Sequence, residues 1–337
     1  MVTDSNWALG QAVKLTAAAG LLALLQACAA PQQQPAPTQP APPPTVEAES
    51  LGGRMLADAQ EYPWSALGRL NLAGHGFCTG VLIGPRQVLT GAGCLYAARE
   101  NRWWQPQELH FIAAYQKDSF LADSGIADFT VAPGYNPQAG TSLANVTSNW
   151  AIVTLQKPIG AQTGWLGLEW DSRRLQQAAQ SGAAVYLRAG YRTDWPHAVS
   201  LHFGCDEGAG GLVSLCAPTP TERGLPTFVA DKGGLRVLAD FYATTPSQGD
   251  ALARLTGNTI GAGRLGQSQP PTGDSRVGKQ PTATAAQLLA SLGYDVSGGN
   301  IGGAAAAFRR DRGLPASEAV DIALLAALIR AAQHSGS

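Results

Sequence analysis

From Ala66 to about Gly261 the chain runs in short stretches that alternate apolar and polar positions. Ala66-Leu67-Gly68-Arg69-Leu70-Asn71-Leu72 alternates apolar and polar, as a half-buried strand should. Phe77–Ile83, Leu109–Ala114, Phe129–Ala132, Trp150–Leu155, Ala184–Leu187 and Arg236–Tyr242 read the same way. Gly, Pro and Asn turns separate them, which predicts an all-β barrel or sandwich. Gly257–Thr282 is rich in Gly, Pro, Ser and Gln with sparse charges of both signs, and reads as a linker. The period then changes. Leu288, Leu289 and Leu292 recur at helical spacing up to Gly293, and Ala304–Arg312 ends likewise at Gly313. Ile322, Leu325, Leu328 and Ile329 predict a third helix.

Before the strands, Leu15–Leu25 is an apolar run behind a single lysine, Lys14, and is too short to span a bilayer. Ala30–Thr45 is almost wholly Pro, Gln and Ala. It predicts an extended spacer reaching roughly 60 Å if about twenty residues adopt polyproline II geometry. Composition adds exclusions: the chain is 45% hydrophobic and 14% charged, with a net charge of −1. No basic stripe argues for a nucleic-acid partner. The five histidines, His75, His110, His197, His202 and His334, show no ligand spacing, so no metal and no other cofactor is expected.

Three stretches carry the chemical argument. The first is Gly76-Phe77-Cys78-Thr79-Gly80-Val81-Leu82-Ile83, followed by Gln87-Val88-Leu89-Thr90-Gly91-Ala92-Gly93-Cys94. The second is Asn149-Trp150-Ala151-Ile152-Val153-Thr154-Leu155, and the third Thr221-Glu222-Arg223-Gly224-Leu225-Pro226. Together they resemble the catalytic boxes of the trypsin-like serine protease family. The resemblance implies a double β-barrel over about two hundred residues with a cleft between the barrels. It also implies that Gly93 stands in the position of the general base, Asn149 in that of the aspartate and Arg223 in that of the serine. Glycine offers no proton acceptor, an amide cannot stabilise an imidazolium, and a guanidinium has no nucleophilic oxygen. A degenerate pseudoprotease with no catalytic residues is therefore expected. His75 in the strand before Cys78 is the nearest candidate for a displaced base; it, His110 in a strand and His197 at a strand approach otherwise read as structural or solvated histidines. Ser214, Thr219 and Thr221 lie near the third box, with no partner base apparent. Arg223 either offers its guanidinium to a ligand carboxylate, folds back on Glu222 or points into solvent.

The same resemblance implies a Cys78–Cys94 disulfide. Cys205 and Cys216 bracket a Gly-rich hairpin and form a second expected pair; two pairs imply an oxidising compartment. Cys28 ends Leu25-Gln26-Ala27-Cys28, which resembles a bacterial lipobox and implies acylation at Cys28. An ordinary secretory signal with a spare thiol is the alternative. With Ala29 following, the lipobox reading implies a periplasmic protein lipid-anchored to the outer membrane of a Gram-negative bacterium.

Gly293-Tyr294-Asp295, and Phe308 with Gly313-Leu314, resemble the three-helix peptidoglycan-binding domain of bacterial cell-wall proteins. Ser297–Gly303 replaces that family's Asp-Gly-x-Phe-Gly loop, and Arg309 its usual glutamine. The expected organisation is a lipoprotein signal peptide (1–27), a tether (28–50), a trypsin-like double β-barrel (51–261), a linker (262–281) and a small all-α three-helix domain (282–334). Three functions fit: a non-catalytic binder of an extended polypeptide or envelope protein, a structural link to peptidoglycan, or an active serine-type endopeptidase with a displaced site.

Overall fold

The computed structural model describes residues 54–140, 142, 144–145, 148–169, 185–203, 221–224, 226–231, 234–238, 264–265, 267–272, 278 and 280–335. Cys28, Cys205, Cys216, Ser214, Thr219, the signal and the tether lie outside them. The strands are β1 (Arg54–Ala57), β2 (Leu67–Leu72), β3 (Phe77–Leu82), β4 (Gln87–Thr90), β5 (Tyr96–Ala97), β6 (Arg102–Trp103), β7 (Leu109–Ala113), β8 (Ala122–Val131) and β9 (Ala151–Leu155). They continue as β10 (Gly167–Glu169), β11 (Val185–Arg192), β12 (Trp195–Phe203), β13 (Thr227–Asp231), β14 (Gly234–Leu238) and β15 (Arg264–Leu265).

Six strands close a barrel in the order β2-β3-β4-β9-β8-β7. Every ladder in it is antiparallel, and the alternation of the sequence explains which residues fill it. Leu67, Leu70, Val81, Phe111 and Val153 are fully buried. Gly68 and Gly80 clear the space for the Phe111 ring, since a Cβ on Gly68 would sit 2.3 Å from it. The barrel thus buries a large aromatic ring where two strands give up their side chains. A seven-stranded sheet, β1-β12-β11-β13-β14-β10-β15, forms the second half, with β10 and β14 parallel. The architecture is mainly β, a closed barrel and a seven-stranded sheet followed by a small helical region.

Barrel and sheet meet around Thr79, a buried residue of β3. Its backbone N–H donates to Arg223 O (3.1 Å), and its carbonyl accepts from Thr90 Oγ1 (2.8 Å). The hydroxyl of Thr79 donates to Tyr191 O and accepts from Tyr191 N (2.8 Å). Nearby, the Arg69 guanidinium lies 4.0 Å from the Phe77 ring centre and 4.8 Å from that of Tyr115. It also donates to Pro196 O (3.3 Å). A packed cation on two aromatic faces stabilises this junction.

The C-terminal helices are Thr282–Ser291, Ile301–Asp311 and Ile322–Ser335. The second begins three residues earlier than its periodicity suggests, because the Asn300 side chain accepts from Gly303 N and caps it. Phe308 is buried and meets Tyr294 edge-on, and the Tyr294 hydroxyl donates to Asp311. Arg309 is buried too. It donates to Ser317 O (2.8 Å), Ala319 O (2.7 Å) and Asp321 Oδ1 (2.9 Å), fixing the segment before the third helix. Gly293 and Gly313 adopt positive φ as helix-ending residues. Asp295 accepts from Ser297 N, and Leu314 packs against the core.

These helices lie directly on the β structure. Trp64, fully buried, donates its indole N–H to Thr284 Oγ1 (2.9 Å). The Glu61 carboxylate accepts from Ala283 N (2.9 and 3.1 Å) at the start of the first helix. The third helix packs on β11, β13 and β14, which explains its burial on more than one face. Parts of the stretch read as a linker are also fixed to the β structure. β15 pairs with β10, Gln269 bridges to Trp165, and Gly278 bridges to Glu61.

Candidate functional site

The first and second boxes come together at the mouth of the barrel. A short 3₁₀ turn, Ala92–Leu95, follows β4 and carries Gly93. Asn149 precedes β9, and its Oδ1 accepts the Gly93 backbone N–H at 2.9 Å. The amide is therefore spent on the turn itself. A Cβ built on Gly93 would stand 2.9 Å from the Tyr135 hydroxyl and 3.6 Å from Asn149 Oδ1. Tyr135 thus occupies the space into which a side chain at position 93 would grow. Burial raises the Tyr135 phenol above its ordinary pKa, which keeps it protonated.

The third box is seated against the first. Gly224 has φ +68, and a Cβ there would lie 2.8 Å from Cys94 Sγ, 3.1 Å from Thr79 O and 3.2 Å from Cys78 Cβ. Cys78 and Cys94 form the expected disulfide. Glycine is required here both by the left-handed backbone and by the sulfur beneath it.

Glu222 does not pair with Arg223. It turns inward, buried, with Arg188 at 3.4 Å, Arg54 and Arg192 each at 3.5 Å and His202 at 3.9 Å. Burial and the neighbouring Arg54 hold the His202 imidazole below its ordinary pKa, against the pull of Glu222. Three cations converging on one buried carboxylate anchor the backbone of this segment. With Glu222 held inside and Arg223 O bound to Thr79 N, the Arg223 side chain is exposed.

Arg223 lines a groove of about 430 Å³ together with Leu72, His75, Tyr96, Arg99 and Trp104. His75 lies in the turn between β2 and β3 rather than in a strand, and its ring packs against Trp104 with the centroids 5.4 Å apart and the planes tilted by 40°. Arg102 braces this wall: it lies 5.2 Å from the Trp104 ring and binds Glu108 through two bonds of 2.7 and 2.8 Å. That pairing holds the Glu108 carboxyl down at about 2.

The other imidazoles are dispersed. His110 in β7 meets Asp123 at 3.1 Å, and His197 in β12 meets the Tyr115 hydroxyl at 3.2 Å. Among the described residues, none of His75, His110 and His197 is hydrogen-bonded to a serine or threonine hydroxyl. The Tyr135 plug, the Arg99 and Trp104 wall and the arginines around Glu222 were not identified from sequence. The only available signal for the last was arginine inside apolar strands, as in Val185-Tyr186-Leu187-Arg188-Ala189.

The trypsin family model matches residues 52–211, which cover the closed barrel and the first strands of the sheet and stop short of the third box. No curated protein matches the chain. Among solved structures, one described as a Glu endopeptidase in complex with MPD is similar with a TM-score of 0.47 and 14% identity. That similarity covers 61% of this chain and 97% of that one. Over residues 52–211, the chain is similar to the trypsin family.

Proposed function

We propose that the trypsin-like region is a non-catalytic binding domain that takes an extended polypeptide, carried by an envelope lipoprotein anchored at Cys28. The observation that carries this reading is the state of the three box positions. Gly93 has the Tyr135 hydroxyl in the space a side chain there would fill, Asn149 is committed to the Gly93 N–H, and Arg223 faces the groove. A base and a nucleophile within hydrogen-bond reach are the minimum for acyl transfer, and these residues supply neither. The groove beside them keeps an aromatic wall and cationic rim suited to a peptide.

The test is casein hydrolysis and labelling by a fluorophosphonate, using the soluble chain from near Glu47. No turnover above blank and no label are expected. Turnover abolished by replacing His75, His197 or His202 would instead establish an active endopeptidase with a displaced site.

A link to the cell wall is the second reading. Its support is the three-helix segment, in which Tyr294, Phe308 and Gly313 build the helical packing that the resemblance implies. Co-sedimentation of the same soluble chain with insoluble wall sacculi tests it, and a chain left in the supernatant would end it.

A further inference from the structure

The charge distribution of the groove is uneven. Its acidic member, Glu100, is held by Arg102 Nε at 2.6 Å. Arg99 and Arg223 are both exposed on the groove, and neither guanidinium has an ion pair or hydrogen bond among the described residues. Arg223 leans towards the β2–β3 turn, where its Nη1 lies 3.8 Å from the position of a Cβ on Gly76. The floor is apolar: Leu72, Ala97 and Trp104 are buried, and His75 packs against the indole. A site with two uncommitted guanidiniums above an apolar floor has the complement of a carboxylate borne on a short, partly apolar chain.

We infer that this groove binds an acidic peptide segment of a partner protein, with Arg223 and Arg99 gripping its carboxylates and the Trp104–His75 wall covering its backbone. This rests on the reading of the domain as a non-catalytic peptide binder and names the class of ligand. The groove volume of about 430 Å³ suits two or three extended residues, within the ordinary range of binding clefts. The inward turn of Glu222 is essential to the arrangement. Were that carboxylate to pair with Arg223, the cation facing the groove would already be neutralised. Because both arginines are exposed, their contribution is screened by salt, so binding weakens as ionic strength rises.

The experiment is fluorescence anisotropy on the soluble chain with three probes: a labelled decapeptide alternating alanine and glutamate, its alanine–glutamine counterpart, and soluble muropeptides. The acidic peptide is expected to bind about tenfold more tightly than the glutamine one at low salt. Arg223→Ala and Arg99→Ala are each expected to remove about threefold of that factor and the double variant about all of it, with Arg223→Lys restoring only part because the two-pronged contact is lost. Thermal melts of the variants should match the parent, since neither side chain is buried. Equal binding of the two decapeptides, unmoved by Arg223→Ala, would overturn the carboxylate inference and leave the peptide-binding reading standing. Binding of neither decapeptide would end both. Capture of muropeptides alone would overturn the protein-segment occupant.

Discussion

The joint between Glu61 and the first C-terminal helix makes stability depend on pH in an unusual direction. The Glu61 carboxyl is raised from an ordinary 4.5 to about 7, chiefly by burial, while the bond from Ala283 N works against the shift and Asp58 adds to it. A carboxyl raised on folding holds its proton longer in the native state than in the unfolded chain. Its contribution to stability is therefore fully present below 4.5, falls as pH rises from 4.5 to 7, and is gone above that. The full displacement corresponds to about 3 kcal/mol. Glu61 is only partly buried, so solvent screening reduces this to about 1–2 kcal/mol. Glu61→Gln keeps an acceptor for Ala283 N and removes the titration. Urea unfolding at pH 5 and pH 8 should show the parent losing about 1–2 kcal/mol more than the variant over that interval. A variant with the parent's pH profile would refute the reasoning. So would a parent stabilised at pH 8 relative to the variant, which would mean that helix-terminus attraction for the anion outweighs burial.

Gly224→Ala places a methyl against the Cys94 sulfur and forces a side chain into a left-handed backbone; a loss of roughly 2–4 kcal/mol is expected by denaturant unfolding. A melt within a degree of the parent would remove the requirement for glycine there. Arg309→Gln loses the bonds to Ser317, Ala319 and Asp321. It should cost about 2–3 kcal/mol, with protection from amide exchange lost first near residues 314–321.

Strand β7 was legible because its two faces differ: Leu109, Phe111 and Ala113 enter the core while His110 is exposed; β3, buried throughout, was legible only as an apolar run between turns. β11 was legible only as far as Leu187 because Arg188 and Gly190, although buried, interrupt its apolar run. From Thr227 to Ala230 β13 is buried at every residue, so no exposed face marks it, and its apolar run of Phe228, Val229 and Ala230 is only three residues long. Gly93, Asn149 and Arg223 could be singled out individually from their neighbours. Their present environment could not. Tyr135 lies far from Gly93 in sequence, and nothing local says that Glu222 turns inward to arginines on three other strand positions. The helices were legible in number, yet their attachment to the β structure depends on Glu61 and Trp64, whose partners lie more than two hundred residues away.

That attachment has a consequence for the order in which the chain can become native. Trp64 and Thr284 are separated by 220 residues, and Glu61 and Ala283 by 222. During synthesis the indole N–H of Trp64 and the carboxylate of Glu61 have no native partner until nearly the whole chain has been made. Closing so long a loop is slow compared with forming neighbouring hairpins. The barrel strands can pair early, but the segment leading into β2 is completed last, by the final helices. A ribosome stalled before residue 283 would hold a product whose Trp64 is still waiting for the other end of the polypeptide.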